Sequence, residues 1–355
     1  MKTRKVRIGS LHIGGGTPIR VQSMTCTKTK DINTTVRQIK SLESAGCEII
    51  RVGVPDMDSA QAIAGIKKKI NIPIVADIHY DYRLAIESIK AGADKIRINP
   101  GNIGSAEKVN LIINEAKKRK TAIRIGVNSG SLKQSTAAAL KEKSGNKKAD
   151  MMVASLLEYV SFFEKQDFYS IVVSLKASDV NTTVAAYRLF SQYRDYPMHI
   201  GITEAGTELG GLIKSSVGLG ILLHEGLGDT VRVSLTAAPE KEVYAAYRIL
   251  GDLGLRKRGV DIISCPTCAR TEIDVISLAH KVEAMAIKIN KPLKIAVMGC
   301  SVNGPGEARE ADIGIAGGRG IGIIFKKGSM VKKVSKKDLL RVFENELGKI
   351  VDGKE

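Results

Sequence analysis

The sequence predicts an α/β protein: a (β/α)8 TIM-like barrel over residues 1–255, followed by a smaller α+β domain over residues 256–355. Two observations carry that expectation. Between residues 19 and 250, short β-rich runs alternate with amphipathic segments, eight runs in all, which is the rhythm of parallel β/α units. The rhythm breaks at the Gly- and Arg-rich stretch 254–259, and the rest of the chain has a different order of strands and helices. Eight units favour closure into a barrel over a doubly wound open sheet, the other architecture such alternation allows.

The strand candidates, in order, are residues 19–24, 48–54, 73–78, 95–99, 122–128, 170–176, 198–203 and 230–235. Each is rich in Ile and Val, as buried parallel strands are. Between them lie amphipathic segments at 33–45, 82–91, 105–118, 151–166, 181–194, 209–225 and 240–250. Gly46, Gly92 and Gly226 follow three of these as helix-ending glycines do. Residues 140–150 read as a charged loop, and Gly14-Gly-Gly16 as a turn. In the second domain the expected elements are a strand at 260–263, a helix near 273–289, a strand at 293–298, a hairpin of 312–316 with 321–325, and a terminal amphipathic helix at 336–348. The stretch Gly317-Gly-Arg-Gly-Ile-Gly322 has the look of a dinucleotide loop but lacks the βαβ context, so it is read as the hairpin turn.

The barrel strands carry basic residues where a buried parallel strand should be apolar. Ile50-Arg51-Val52, Ile96-Arg97-Ile98, Ile123-Arg124-Ile125, Ser174-Leu175-Lys176 and Val231-Arg232-Val233-Ser234 alternate an aliphatic with a basic or polar side chain. Alternation sends the aliphatic set to the helices and the basic set into the barrel mouth, where active sites of this architecture lie. Asn128, Asp77 with His79, and Glu204 end strands at the same rim. Pairing with Asp77 and Glu204 is the ordinary explanation for such arginines, but two acids cannot balance Arg51, Arg97, Arg124, Lys176 and Arg232. Unpaired cations ~5 Å apart repel by roughly 3 kcal/mol at an effective dielectric near 20. An anion of high charge relieves that, and Arg forks fit phosphate oxygens, so a phosphate or diphosphate ester is the expected guest. Glu204 is the preferred general acid or proton relay. His79 is divided between that role and an ordinary hydrogen-bonding one.

Ser264-Cys-Pro-Thr-Cys-Ala-Arg270 and Met298-Gly-Cys-Ser-Val-Asn-Gly-Pro-Gly-Glu307 each follow an apolar strand run. They aim Cys265, Cys268 and Cys300 at one place, with Glu307 the nearest further donor and no His in either loop. Three thiolates suit zinc or an iron–sulfur cluster. Structural zinc wants a fourth Cys or His, whereas three Cys and one weak oxygen donor fit a 4Fe-4S cluster with one substitutable iron. Two ordinary turns with buried cysteines are the plainer reading. Cys26 and Cys47 show no partner spacing, and Cys47 reads as a small buried hydrophobe.

Composition narrows the class. The chain has 355 residues, 43% hydrophobic and 26% charged, with no Trp, as a globular protein built on Ile, Leu, Val and Ala would. No apolar run approaches a membrane span, and the basic start shows no signal-peptide core, so a cytoplasmic protein without membrane contact is expected. A net charge of +18 suggests nucleic acid. No nucleic-acid motif or aromatic platform appears, and much of the excess is dispersed Lys, so no nucleic-acid partner is expected. A zinc-stabilised nucleic-acid binder remains the alternative class, and metal analysis separates the two.

Taken together, Pro18-Ile-Arg-Val-Gln-Ser-Met-Thr25, Val75-Ala-Asp-Ile-His79, Arg97-Ile-Asn-Pro-Gly-Asn102, Arg124-Ile-Gly-Val-Asn128, Ser174-Leu-Lys-Ala-Ser-Asp179, Gly201-Ile-Thr-Glu-Ala-Gly206, Cys265-Pro-Thr-Cys268 and Asn303-Gly-Pro-Gly-Glu307 give a chain that resembles the 4-hydroxy-3-methylbut-2-enyl diphosphate synthases of the methylerythritol phosphate route to isoprenoids, in their short bacterial form. The resemblance covers nearly the whole chain. It implies a barrel that binds 2-C-methyl-D-erythritol 2,4-cyclodiphosphate through Arg51, Arg97, Arg124, Asn128, Lys176, Arg232 and Ser234. It implies a 4Fe-4S cluster on Cys265, Cys268, Cys300 and Glu307, and a catalytic set of Asp77, His79, Glu204, Asn303 and Glu307. It further implies a ferredoxin or flavodoxin as donor of two electrons, and a homodimer in which the small domain of one subunit closes on the barrel of the other.

Overall fold

The structure is a computed structural model that describes residues 2–128, 140, 142–287, 289–300, 309–318 and 320–353. It divides into two units, Met1–Arg256 and Lys257–Glu355.

The first unit opens with an antiparallel hairpin of β1 (Val6–Ile8) and β2 (Leu11–Ile13). The barrel strands come next as β3 (Arg20–Met24), β4 (Ile49–Gly53), β5 (Ile74–Asp77), β6 (Lys95–Ile98), β7 (Ala122–Asn128), β8 (Ile171–Lys176), β9 (His199–Ile200) and β10 (Thr230–Val231). They pair in the order β8-β7-β6-β5-β4-β3-β10-β9, all parallel. A parallel bridge between Val173 and Met198 joins the two ends, with Val173 N–H donating to Pro197 O at 2.9 Å. The eight sequence runs are thus the eight staves of a barrel.

The surrounding helices are α1 (Ile32–Ala45), α2 (Met57–Lys67), α3 (Tyr82–Lys90), α4 (Pro100–Ile103), α5 (Ala106–Arg119), α6 (Lys147–Glu164), α7 (Val180–Ser191), α8 (Glu208–His224) and α9 (Pro239–Asp252). Asp31, Asp56, Asp81, Asn146 and Asp179 start five of them, each side chain accepting a first-turn backbone N–H. Such a cap contributes about 1 kcal/mol. The Asn146 cap starts α6 four residues before the expected 151, and so turns the end of the charged loop into helix. The sequence rhythm missed α2, whose buried face is made largely of small side chains, Ser59, Ala60 and Ala62.

Outward strand residues such as Ile50, Val52, Ile74, Ile96, Ile123 and Val173 pack on the helices with no exposure. At the N-terminal end of the strands, Ile49, Val75, Ala122 and Val172 form a separate apolar layer with Val6, Ile8 and Ile13 of the hairpin. The hairpin, not expected from the sequence, therefore floors the barrel. Register is pinned at the same end. Acids preceding one strand accept an N–H at the start of the neighbouring strand: Glu48 from Val21 at 3.0 Å, Asp94 from Ile74 at 2.8 Å and Asp229 from Met198, just before β9, at 2.8 Å. The strands expected at 198–203 and 230–235 shorten to two residues each in the ladder. Gly201 explains part of this: a Cβ there would sit 2.4 Å from Arg232 O, closer than a regular pair allows.

The second unit contains β11 (Val260–Ser264), α10 (Val275–Ala286), β12 (Leu293–Met298), β13 (Ile313–Gly317), β14 (Ile321–Lys326), β15 (Ser329–Ser335) and α11 (Leu339–Val351). The sheet order is β11-β12-β13-β14-β15, parallel through β13 and antiparallel after it. Val282 of α10 and Phe343 of α11 pack on Ile295, Val297 and Ile315 in one core. The expected hairpin is present, with β15 added beyond it. Among the described residues no helix is long and apolar enough to cross a membrane.

Candidate active site

Alternation on the strands does what the sequence implied: it turns the basic side chains inward. Arg97 and Arg124 are register partners on β6 and β7, and Asn128 and Lys176 on β7 and β8. Arg97 and Lys176 are buried, and Arg124 retains 2% exposure.

Asp77 organises one side of this interior. Its carboxylate lies 3.2 Å from Arg51 Nη2, 3.4 Å from Arg97 Nη1 and 3.3 Å from His79 Nε2. Burial alone would push Asp77 up, but Arg51, the His79 hydrogen bond, Arg97 and Arg124 outweigh it and hold the acid well below the usual carboxylate range. Asp77 and His79 thus share one face as their spacing predicts, with His79 exposed at the rim. Arg51 is pushed down to about 10 by burial, with Asp77 opposing and Arg232 and Arg97 adding to the shift.

Arg232 finds a partner the sequence reading did not name. Glu242, in the first turn of α9, lies 3.5 Å from Arg232 Nη2 and also accepts the Leu235 N–H at 3.0 Å. Ser234, two residues beyond Arg232, is half-buried. The expectation that Glu204 shares in neutralising the arginines is corrected. Glu204 is exposed, has a backbone φ of 50°, and pairs with none of the described cations. The left-handed backbone carries it off the strand path, which spacing alone does not reveal.

Arg124 makes no ion pair among the described residues, and its Nε and Nη1 are buried without a hydrogen-bond partner. Burial first, then Arg51 and Arg97, push its pKa well below the ordinary value. An arginine stays protonated nonetheless, so the barrel holds a buried cation that lacks an anion. Burial, Arg124 and Arg232 push Lys176 the same way. Four arginines, 51, 97, 124 and 232, face two carboxylates, Asp77 and Glu242, which leaves two positive charges before any lysine is considered. The interior also holds residues the sequence reading passed over: Lys95, Gln22, Thr230 and His199. Their signal was visible in the same alternation, as Lys95-Ile96-Arg97 and His199-Ile200-Gly201.

In the second unit, Cys265 directly follows β11 and Cys300 follows β12 by one residue. Cys265 N–H donates to Val297 O at 3.2 Å, and Gly299 N–H donates to Cys265 Sγ at 3.0 Å. Glu272 N–H donates to Gly299 O at 2.8 Å, tying the two cysteine loops together. Gly317 admits this approach, since a Cβ there would meet Gly299 O at 2.4 Å. Cys268 is exposed, and its thiol is lowered first by the Arg270 backbone hydrogen bond, with the Arg270 and Thr271 side chains adding. Adjacent loops, an N–H aimed at sulfur and a thiol poised toward thiolate suit a thiolate-bound metal group. Asn303 and Glu307 lie outside the described residues. Among the described residues, no three His, Cys, Asp or Glu side chains are gathered into a ready metal site. A cavity of about 610 Å³ opens between α10 and α11, lined by Thr271, Asp274, Lys281, Lys336 and Leu339; it contains none of the expected site residues.

Comparison with known proteins places both units. The GcpE TIM-barrel domain matches residues 3–247, and the GcpE protein C-terminal domain matches residues 261–349. A protein of Caldanaerobacter subterraneus subsp. tengcongensis named 4-hydroxy-3-methylbut-2-en-1-yl diphosphate synthase (flavodoxin) is 56% identical over 349 residues, 98% of this chain and 97% of that one. The Clostridium perfringens protein of the same name is 53% identical over 351 residues, 99% and 98% of the two chains. Among solved structures, dihydropteroate synthase of Burkholderia cenocepacia aligns with a TM-score of 0.51 at 16% identity, covering 72% of this chain and 99% of that one, which is a likeness of fold alone.

Proposed function

The chain belongs to the GcpE family, and from that premise we infer that its reaction is the one for which its relatives are named: formation of 4-hydroxy-3-methylbut-2-enyl diphosphate, by reductive ring opening and dehydroxylation of 2-C-methyl-D-erythritol 2,4-cyclodiphosphate. The observation that carries the substrate reading is Arg124, fully buried with two guanidinium nitrogens unsatisfied. A cyclic diphosphate bears one ionised oxygen on each phosphorus. It therefore brings two negative charges to an interior in which four arginines and two carboxylates leave two positive ones.

In this reading Arg51, Arg97, Arg124, Lys176 and Arg232 bind the diphosphate, with Asn128 and Ser234 at the edges. Asp77 holds the Arg51 and Arg97 forks in place, and His79 is carried on the same carboxylate at the rim. Glu204, exposed at the end of its strand run, is the proposed proton relay to the departing hydroxyl. The chemistry consumes two electrons and one proton: the carbon–oxygen bond of the ring breaks, hydroxide leaves as water, and the diphosphate gains one negative charge. Cys265, Cys268, Cys300 and Glu307 would hold a 4Fe-4S cluster, and Asn303 is counted with the proposed catalytic residues. Such a cluster, when bound, delivers low-potential electrons singly and offers one iron as a Lewis acid. The relatives' names give flavodoxin as the donor. A homodimer that brings the cluster unit of one copy to the barrel of another completes the proposal, and reduced thiols suit the cytosol.

The test is anaerobic purification followed by iron, sulfide and turnover analysis with reduced flavodoxin. Cluster-sized iron and sulfide, product from the cyclic diphosphate, and loss of both in Cys300→Ser are expected. Mixing Cys300→Ser with Arg124→Ala chains should restore turnover through mixed dimers. Zinc in place of iron, or a full iron complement with no turnover of the cyclic diphosphate, overturns the assignment.

A further inference from the structure

Beneath the arginines lies a basic residue that diphosphate binding does not use. Lys95 opens β6, two residues before Arg97 and on the same face. It is fully buried. Its register partners are Val75 on β5 and Ala122 on β7, both part of the apolar floor that the N-terminal hairpin completes. Its nitrogen reaches Gln22 Oε1 at 3.5 Å, the outer limit of a hydrogen bond. No described carboxylate pairs with it. Asp77 on β5 is taken by Arg51, Arg97 and His79, and Glu242 on α9 by Arg232. The remaining charged and titratable groups that act on it are Arg51 on β4, Arg124 on β7 and His199 on β9. Burial pushes Lys95 well below the ordinary lysine value, and Arg124 and Arg51 push the same way. His199 Nδ1 lies 2.8 Å from Thr230 Oγ1, and its buried Nε2 offers Lys95 no negative charge. An ammonium at this place would be shut off from bulk solvent with no described counter-ion, an arrangement proteins avoid by releasing the proton.

We propose that Lys95 is a proton-uptake residue under the anion site, an uncharged amine in the unliganded barrel that becomes an ammonium when a diphosphate seats above it. The inference rests on the diphosphate reading and extends it. Four arginines set against two carboxylates already match the two charges of the cyclic substrate. Ring opening yields a diphosphate monoester with one further charge, for which no spare arginine exists among the described residues. Beyond the arginines only buried lysines can add positive charge, and a proton drawn from solvent onto Lys95 adds one from below, with no bond made to the ligand. Lys176 lies at the C-terminal end of its strand, among the groups that would touch the ligand; Lys95 acts from the floor.

The test is isothermal titration of the full chain with the cyclic diphosphate, and separately with the open-chain product, in two buffers of different ionisation enthalpy. Wild type should take up protons on binding, more with the product than with the cyclic form, and affinity should weaken by up to about tenfold per pH unit above neutrality. In Lys95→Met the uptake should fall by close to one proton and the pH slope should flatten, while the cyclic diphosphate still binds. Equal uptake by the two proteins overturns the proposal. Absence of binding by both overturns the diphosphate reading, and the inference with it. A melting comparison tests the resting state separately. Unfolded lysine keeps its proton up to about pH 10.4, so an amine held uncharged when folded penalises folding below that pH. Lys95→Met should therefore melt higher than wild type at pH 7, with the gain shrinking toward pH 10. A lower midpoint at pH 7 would show a charged, structurally engaged Lys95 and end the proposal.

Discussion

Asp77→Asn should separate the electrostatic frame of the barrel from its packing. The substitution keeps the shape of the side chain and removes its charge. Asp77 retains 1% exposure and has two guanidinium groups, on Arg51 and Arg97, within 3.4 Å. At an effective dielectric near 20, each such pair is a gross attraction of about 5 kcal/mol, much of it offset by the desolvation of the ions. Removing one partner of a buried pair leaves the other charge unmatched, at a cost of about 3–5 kcal/mol. For a unit of this size that lowers the melting midpoint by roughly 10 °C. The sign with pH comes from the depressed carboxyl. Its contribution is fully present above the unfolded value of about 3.9 and is lost as pH falls through the lower folded value. The gap between wild type and variant should therefore hold across neutral pH and close only in strong acid. Added inorganic pyrophosphate should narrow the gap at pH 7, because it supplies negative charge that Arg51 and Arg97 have lost. The assay is thermal unfolding in low-salt buffer, with and without pyrophosphate. An Asp77→Asn protein that melts with wild type in low salt would show that the arginines do not depend on the carboxylate, and would refute this account of the barrel interior.

Two further outcomes are expected. Arg97→Ala or Arg124→Ala should weaken cyclic diphosphate binding by about 1.5–3 kcal/mol, the loss of one buried charge-assisted contact, read by titration calorimetry; unchanged affinity in both removes them from the site. Gly201→Ala should abolish anion binding more completely than either, because its methyl would stand 2.4 Å from Arg232 O and 2.8 Å from Lys176 Nζ, and a crystal structure or circular dichroism should show the barrel otherwise retained.

The parts of the barrel legible in the sequence were those with a strong period. Eight Ile/Val runs gave eight staves, and Arg51, Arg97, Arg124 and Lys176 turned inward because side chains on a strand alternate. What escaped had weak or displaced signals. The face that α2 buries is mostly small residues, so it shows little amphipathic contrast. The strands of the N-terminal hairpin are three residues long, too short for a period to register. Glu242 is on a helix ten residues past Arg232, and only folding brings the two together. Glu204 sits where spacing put it along the chain, yet a φ of 50° turns it from the cations. The cysteine loops were legible as neighbours because each follows a strand and β11 pairs with β12. Asn303 and Glu307 lie outside the described residues.

The hairpin and the arginines are two halves of one arrangement. A TIM-like barrel ordinarily fills its interior with layers of branched aliphatic side chains. Here the aliphatic layer is confined to the floor, where Ile49, Val75, Ala122 and Val172 meet Val6, Ile8 and Ile13, and the layers above are given to cations. Without the hairpin, that single layer would face solvent, and water could reach Lys95 and Arg124 from below. With it, relief for Arg124 comes from above, through the mouth, so the apolar floor is what turns a set of inward-facing arginines into a site that favours an anion. Stability and binding therefore pull against each other in this interior. The cations proposed to hold a diphosphate are the groups that strain the unliganded fold, and a ligand that neutralises them should stabilise the barrel beyond what its direct contacts alone would give.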